Sequence, residues 1–153
     1  MIEIKILRKL PLLEVNERLT GKALLSFEYD GQTVEIELLP RYGRFLFVLN
    51  MAHDEDLRSG ANERRRGFRS HRLINRALTR LPGGWNLTED SEVTGKAYGL
   101  RATLNNTLLA HDLKPRGRNY FIESANGLGY RLGEGLAELT IKGFSSDPGL
   151  RDS

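Results

Sequence analysis

Residues 120–132 read Tyr120-Phe121-Ile122-Glu123-Ser124-Ala125-Asn126-Gly127-Leu128-Gly129-Tyr130-Arg131-Leu132. Two short runs with apolar side chains at alternate positions flank a turn rich in glycine and asparagine, the pattern of a β-hairpin. Asn126 and Gly127 are residue types that tolerate positive φ at low steric cost. A strict two-residue Asn126-Gly127 turn would set Ile122 opposite Arg131. A core-facing set of Ile122, Tyr130 and Leu132 needs an odd-numbered loop or a bulge at Gly129 instead. What precedes the hairpin decides what it belongs to.

Immediately upstream lies a basic turn, Pro115-Arg116-Gly117-Arg118, and before that a segment with helical periodicity. Val93, Ala97, Leu100, Leu104 and Leu108 form one apolar stripe, which predicts a helix over roughly 94–109 with Asp90, Ser91 or Thr94 as its cap. The opposite face carries Gly95, Tyr98, Gly99, Ala102, Asn105 and Asn106, with Lys96, Arg101 and Thr103 on its flanks. Each glycine costs a helix about 1 kcal/mol relative to alanine, so either something approaches that backbone closely or the helix starts only after Gly99.

Further upstream, Ser70 reads as an N-cap, and Leu73, Ile74, Ala77, Leu78 and Leu81 as the apolar stripe of a second helix stopped by Pro82-Gly83-Gly84. Arg72, Arg76 and Arg80 stand four apart on its other face. Such a row is either a solvated face or, joined to Arg64, Arg65, Arg66 and Arg69, a surface for phosphate. Residues 58–70 are polar and glycine-punctuated and read as a flexible loop. Trp85 caps the core or marks an interaction site.

The N-terminal third adds strands. Leu25, Phe27, Tyr29 and Val34, Ile36, Leu38 alternate with polar residues about an Asp30-Gly31 turn, a half-buried hairpin. Pro40 suits the first turn of a first helix, expected over about 41–53 from the spacing of Phe45, Leu46, Val48, Leu49 and Ala52. His53-Asp54-Glu55-Asp56 would end it, as a solvated terminus or as a hard-cation or zinc site. Ile2, Ile4 and Ile6 alternate like a strand, and the run from Ile2 to Leu13 could pair with a second copy. After Leu132 one more strand-like run (Leu136, Leu139, Ile141) precedes a polar tail whose last ten residues are expected to fray.

The 153 residues suffice for one domain with appendages and a real core. The absence of cysteine excludes disulfides and thiolate metal sites and fits a reducing compartment. No apolar span points to export or membrane insertion, so a cytoplasmic protein is expected. The net charge of +3 is unevenly spread: residues 58–80 carry eight arginines against Glu63 alone, while residues 1–57 are net negative. Concentrated charge is what a polyanion responds to. No catalytic constellation stands out: His53, His71 and His111 lack metalloprotease spacing, and there is no nucleophile elbow or Walker loop. Neither an enzyme activity nor a cofactor is expected.

In order, hairpin, helix, basic loop, helix, loop, helix and glycine-tipped hairpin resemble the winged helix-turn-helix DNA-binding (effector) domain of the OmpR/PhoB family of response regulators. The most specific match is Ile122-Glu123-x-x-x-Gly127-x-Gly129-Tyr130-Arg131-Leu132, which looks like that family's wing. Tyr29-Asp30-Gly31-Gln32-Thr33-Val34-Glu35 and Ser70-x-x-Leu73 match more weakly. The resemblance covers about residues 23–133, between an N-terminal extension (1–22) and a C-terminal tail (134–153). It implies an α+β fold with N-terminal antiparallel strands, three helices and a hairpin wing.

The resemblance further implies a bacterial transcriptional regulator whose third helix enters the major groove of double-stranded DNA while the wing reaches toward the minor groove. By position, Lys96, Tyr98, Arg101, Asn105 and Asn106 would read bases; Arg64, Arg65, Arg66, Arg69, Arg72, Arg76, Arg116 and Arg118 would hold backbone; and Asn126, Gly127 and Arg131 would serve the wing. RNA polymerase or another regulatory protein would be a further partner. Two departures stand out. The basic end of the family's recognition helix is replaced by Thr103, Asn105, Asn106 and Thr107, and Asn126 stands where the wing arginine would be. Both remove electrostatic affinity, and they keep a second reading open, a winged-helix protein-interaction module without DNA binding. The chain has no room for a receiver domain of usual size, so control by aspartyl phosphorylation within it is not expected.

Overall fold

The computed structural model describes residues 9–82, 89 and 91–144. The fold is α+β, with three helices and six strands in two sheets among the described residues. β1 (Leu12–Glu14), β2 (Ala23–Tyr29), β3 (Gln32–Leu38) and the late β6 (Thr140–Lys142) form one sheet in the order β3-β2-β1-β6. The helices follow as α1 (Pro40–Ser59), α2 (His71–Arg80) and α3 (Glu92–Ala110), then the wing hairpin β4 (Ile122–Ala125) and β5 (Gly129–Leu132). This is a winged-helix layout.

The β2–β3 hairpin forms as its alternation predicts. Tyr29 pairs with Gln32 across a two-residue turn in which Asp30 and Gly31 both take positive φ (47° and 80°), the requirement of the type I′ turn that matches strand twist. Leu25, Phe27, Tyr29, Val34 and Leu38 are buried against the helices. The sheet extends past 23–133 on both sides: Leu13 pairs with Leu25 antiparallel and with Ile141 parallel. Leu136, in a short 3-10 turn, and Leu139 are buried in the same core. Part of the expected tail is therefore an integral strand. The Ile2–Ile6 alternation, Trp85, Asp90 and residues 145–153 lie outside the described residues.

α1 starts at Pro40, within a residue of the expected 41, but runs six residues past the expected end, to Ser59. The acidic cluster is thus inside the helix. Gly60 ends it in the left-handed conformation, with its own N–H and that of Ala61 bonded back to Leu57 and Asp56 carbonyls, a glycine C-cap. Ten α1 residues are buried, because the helix is sandwiched between the sheet, the other helices and the wing.

Ser70 caps α2 by accepting from the Leu73 N–H at 3.3 Å. Ile74, Leu78 and Leu81 are buried, but Leu73 is 49% exposed, so the stripe is one residue narrower than its spacing suggests. α3 begins at Glu92; Ser91 makes no side-chain cap bond. Its whole predicted stripe, Val93, Ala97, Leu100, Leu104 and Leu108, is buried. Gly95 and Gly99 both lie within the helix. A Cβ at Gly99 would collide with the Tyr42 hydroxyl from α1, whereas Gly95 faces open space. The close approach to Gly99 is thus internal packing.

Candidate functional site

The wing closes with the odd-numbered loop. Ala125 pairs with Gly129 and Ile122 with Leu132, leaving Asn126, Gly127 and Leu128 as a three-residue tip. Gly127 takes φ +78° and Gly129 φ +96°, while Asn126 stays outside the positive-φ region. Ile122, Tyr130 and Leu132 consequently all face the core. Gly129 has a second reason to be glycine. Tyr130 and Arg69 exchange backbone hydrogen bonds of 3.0 Å, and a Cβ at 129 would run into the Arg69 carbonyl. The segment before α2 is thereby joined to the wing by a single antiparallel bridge.

That contact, and three others from Tyr130 and Ile122, place the wing against the helices. The His71 Nε2 and Thr94 Oγ1 atoms lie 2.9 Å apart, joining the first turns of α2 and α3. The Tyr130 ring meets His71 edge-on at 5.1 Å and Phe45 of α1 at 6.4 Å. Inside the helix, Arg101 donates from Nε and Nη2 to the Ile122 carbonyl at 3.1 and 2.6 Å. It is 8% exposed, and burial lowers the affinity of its guanidinium for the proton, with Arg118 adding repulsion. Arg101 therefore faces inward, and the expectation that it reads bases is corrected. It anchors the first residue of the wing to α3.

Several other arginines expected to meet DNA, at the backbone or from the wing, are likewise committed inside the molecule. Arg69 binds both carboxylate oxygens of Asp56 (2.8 and 2.9 Å) and reaches Glu55 at 3.4 Å. Asp56 also accepts from the Gly67 N–H at 2.7 Å. Arg131 pairs with Glu123 through Nε and Nη2 (3.1 and 3.2 Å), while Nη1 donates to the carbonyls of Glu63 and Arg66 at 2.9 and 3.1 Å. Its guanidinium sits 4.2 Å from the centre of the Phe68 ring, which is buried. Arg66 is half-buried and donates to Ala61 at 3.3 Å. These contacts tie residues 61–69 to α1 and the wing, and Arg58 and Ser59, expected in the loop, close α1 instead. Arg116 is exposed but bonds Asp30 at 2.7 Å and lies over the Tyr29 and Tyr120 rings at 5.1 and 4.9 Å. It clamps the β2–β3 turn.

What remains outward falls on two faces. On one, a concavity of about 620 Å³ opens between the start of α2 and the wing, lined by Ser70, His71, Arg118, Asn119, Ser124 and Asn126, among others. The Thr94 bond to His71 sets the first turn of α3 at its rim; the outward α3 face carries exposed Asn106 and Tyr98, which is 66% exposed, and half-buried Asn105 and Lys96 lie on its opposite flanks. On the other, Arg76 and Arg80 line a groove between α1 and α2 and share no lining residue with the concavity. Arg72 stays exposed in the first turn of α2, and Arg64 and Arg65 are exposed on the loop. The arginine row is therefore divided, which its 3.6-residue spacing could not show. Sequence reasoning missed His71 and Asn119 as lining residues; their neighbours Ser70 and Arg118, both singled out, were the available signal. Among the described residues no helix is long and apolar enough to cross a membrane. No protein-family model, curated protein or solved structure matches the chain.

Proposed function

We propose that the chain binds double-stranded DNA through the outward face of α3 and the adjoining wing, as a transcriptional regulator of the kind its sequence resembles. One observation carries the reading: exposed Tyr98 and Asn106 mark the outward face of α3, with half-buried Asn105 and Lys96 on its two flanks, and Thr94 of its first turn bonds His71 at a polar concavity bounded by Arg118 and the wing tip. A helix of that width fits the major groove, and asparagine can pair with adenine at N6 and N7. Arg118, Lys96 and Arg72 supply phosphate contacts, and Arg64 and Arg65 reinforce the field from the loop. Selection from a random duplex pool at low and moderate salt tests it: an enriched, salt-sensitive duplex is expected, and failure to retain any duplex overturns it.

A protein-interaction role for α3 is the second reading. It is favoured by the inward Arg101 and by the neutral outward surface, where Tyr98 and Leu109 are 66% and 58% exposed. Charge alone separates the readings, because phosphate binding releases counterions and weakens steeply with salt whereas a neutral contact does not.

A further inference from the structure

The groove between α1 and α2, about 240 Å³, has a built character distinct from the α3–wing face. Its floor is small and apolar (Val48, Ala52, Ala77), and its edges carry Met51 and Leu73, 42% and 49% exposed. Single exposed apolar residues are ordinary; two large ones flanking one groove form a patch. Beside them run Arg72, Arg76 and Arg80, all exposed. Among the described residues none of these three arginines has a carboxylate partner. Glu55, the acid in the groove, is turned to Arg69 at 3.4 Å. Along α2, three arginines with no carboxylate partner among the described residues thus stand beside an exposed apolar edge formed by Leu73 and, from α1, Met51.

We infer that this groove docks an acidic amphipathic helix of a partner protein. Arg72 to Arg80 span about 12 Å along α2, eight residues at the helical rise, which matches two to three turns of a partner. Leucine-like side chains at i, i+3 or i+4, and i+7 would cover Met51 and Leu73, and flanking carboxylates would meet the arginines. A duplex backbone fits less well: phosphates would satisfy the guanidinium groups but leave Met51 and Leu73 in water. The groove shares no lining residue with the α3–wing concavity; Arg72, which lines neither, is the one cation both readings use, so the inference stands on Arg76 and Arg80 and does not depend on DNA binding by α3.

The test uses the full chain, labelled with nitrogen-15, and a synthetic peptide of about 18 residues, five helical turns, with leucine at helical spacing and glutamate on its flanks. Two control peptides keep the same length: one scrambles the order at constant composition, the other replaces glutamate with lysine. The expected result is amide shifts concentrated at residues 48–55 and 73–80. Binding should weaken about tenfold or more in the Arg76→Glu/Arg80→Glu variant, as like charges meet. The sites are exposed, and an unchanged circular dichroism spectrum and melting curve establish that the variant is folded. Leu73→Ser gives an independent reading, weakening the peptide without changing charge. Absence of shifts, shifts confined to α3 or the wing, or equal binding of either control overturns the inference. So does a short duplex that perturbs residues 48–55 and 73–80 in place of the peptide.

Discussion

Arg69 grips Asp56 at both carboxylate oxygens, at 2.8 and 2.9 Å, and so fastens the loop before α2 to the last turns of α1. The guanidinium bonds hold the Asp56 carboxyl below its ordinary value, with burial working in the opposite direction. A carboxyl group with a depressed pKa in the folded state gives stability that is fully present above its unfolded pKa. That stability is lost as pH falls from the ordinary aspartate value of 3.8 through the lower folded one. Asp56→Asn should therefore reduce stability by about 1–3 kcal/mol near neutrality, discounted for partial solvent access. It should also flatten the loss of stability below about pH 4. Urea titrations at several pH values, wild type against variant, measure both.

Three of the glycines of α3 and the wing, Gly95, Gly99 and Gly129, should respond to alanine in different ways. Gly95→Ala fills open space on an exposed helical turn and should stabilise by about 0.5–1 kcal/mol. Gly99→Ala should destabilise, because the new methyl meets the Tyr42 hydroxyl. Tyr42→Phe in the same chain should recover part of that loss, since the nearest remaining ring atom stands at 3.0 Å. Gly129→Ala combines positive φ with a collision against the Arg69 backbone and should cost more than either, about 2–4 kcal/mol. Thermal melts of the four variants check the order.

Arg101→Ala separates positioning from reading. It leaves the Ile122 carbonyl without its two donors and should cost about 1–3 kcal/mol of stability. Hydrogen exchange should quicken in β4 and β5, and duplex affinity should fall with it. Asn106→Ala, on the exposed side, should leave stability within about 0.5 kcal/mol of wild type while relaxing preference at one base position by about 1–3 kcal/mol.

Local pattern exposed most of the fold. Alternation and Asp30-Gly31 specify the β2–β3 hairpin, the five-residue stripe specifies α3, and Ser70 specifies where α2 begins. In each case neighbours a few residues apart carry the information. The directions of the arginines were not legible for the opposite reason. Arg101 is turned inward by a carbonyl 21 residues away, Arg131 is taken up by a loop more than 60 residues upstream, and Arg69 by an aspartate in the preceding helix. The parallel pairing of β6 with β1 is equally non-local. Net charge counted along the chain overstated the cations available to a ligand, because tertiary partners consume several of them.

The most direct test compares two charge-reversed variants on whichever duplex the random pool enriches. Lys96→Glu/Arg118→Glu alters the α3–wing face, and Arg76→Glu/Arg80→Glu alters the α1–α2 groove. With Lys96, Arg118 and Arg72 as the main phosphate contacts, wild-type affinity should fall with salt at a log–log slope of about −3. The expected result is at least about a tenfold loss for the first variant and less than about a threefold change for the second. A first variant that binds as wild type, or a second that loses the greater share, would contradict the assignment of the α3–wing face to DNA.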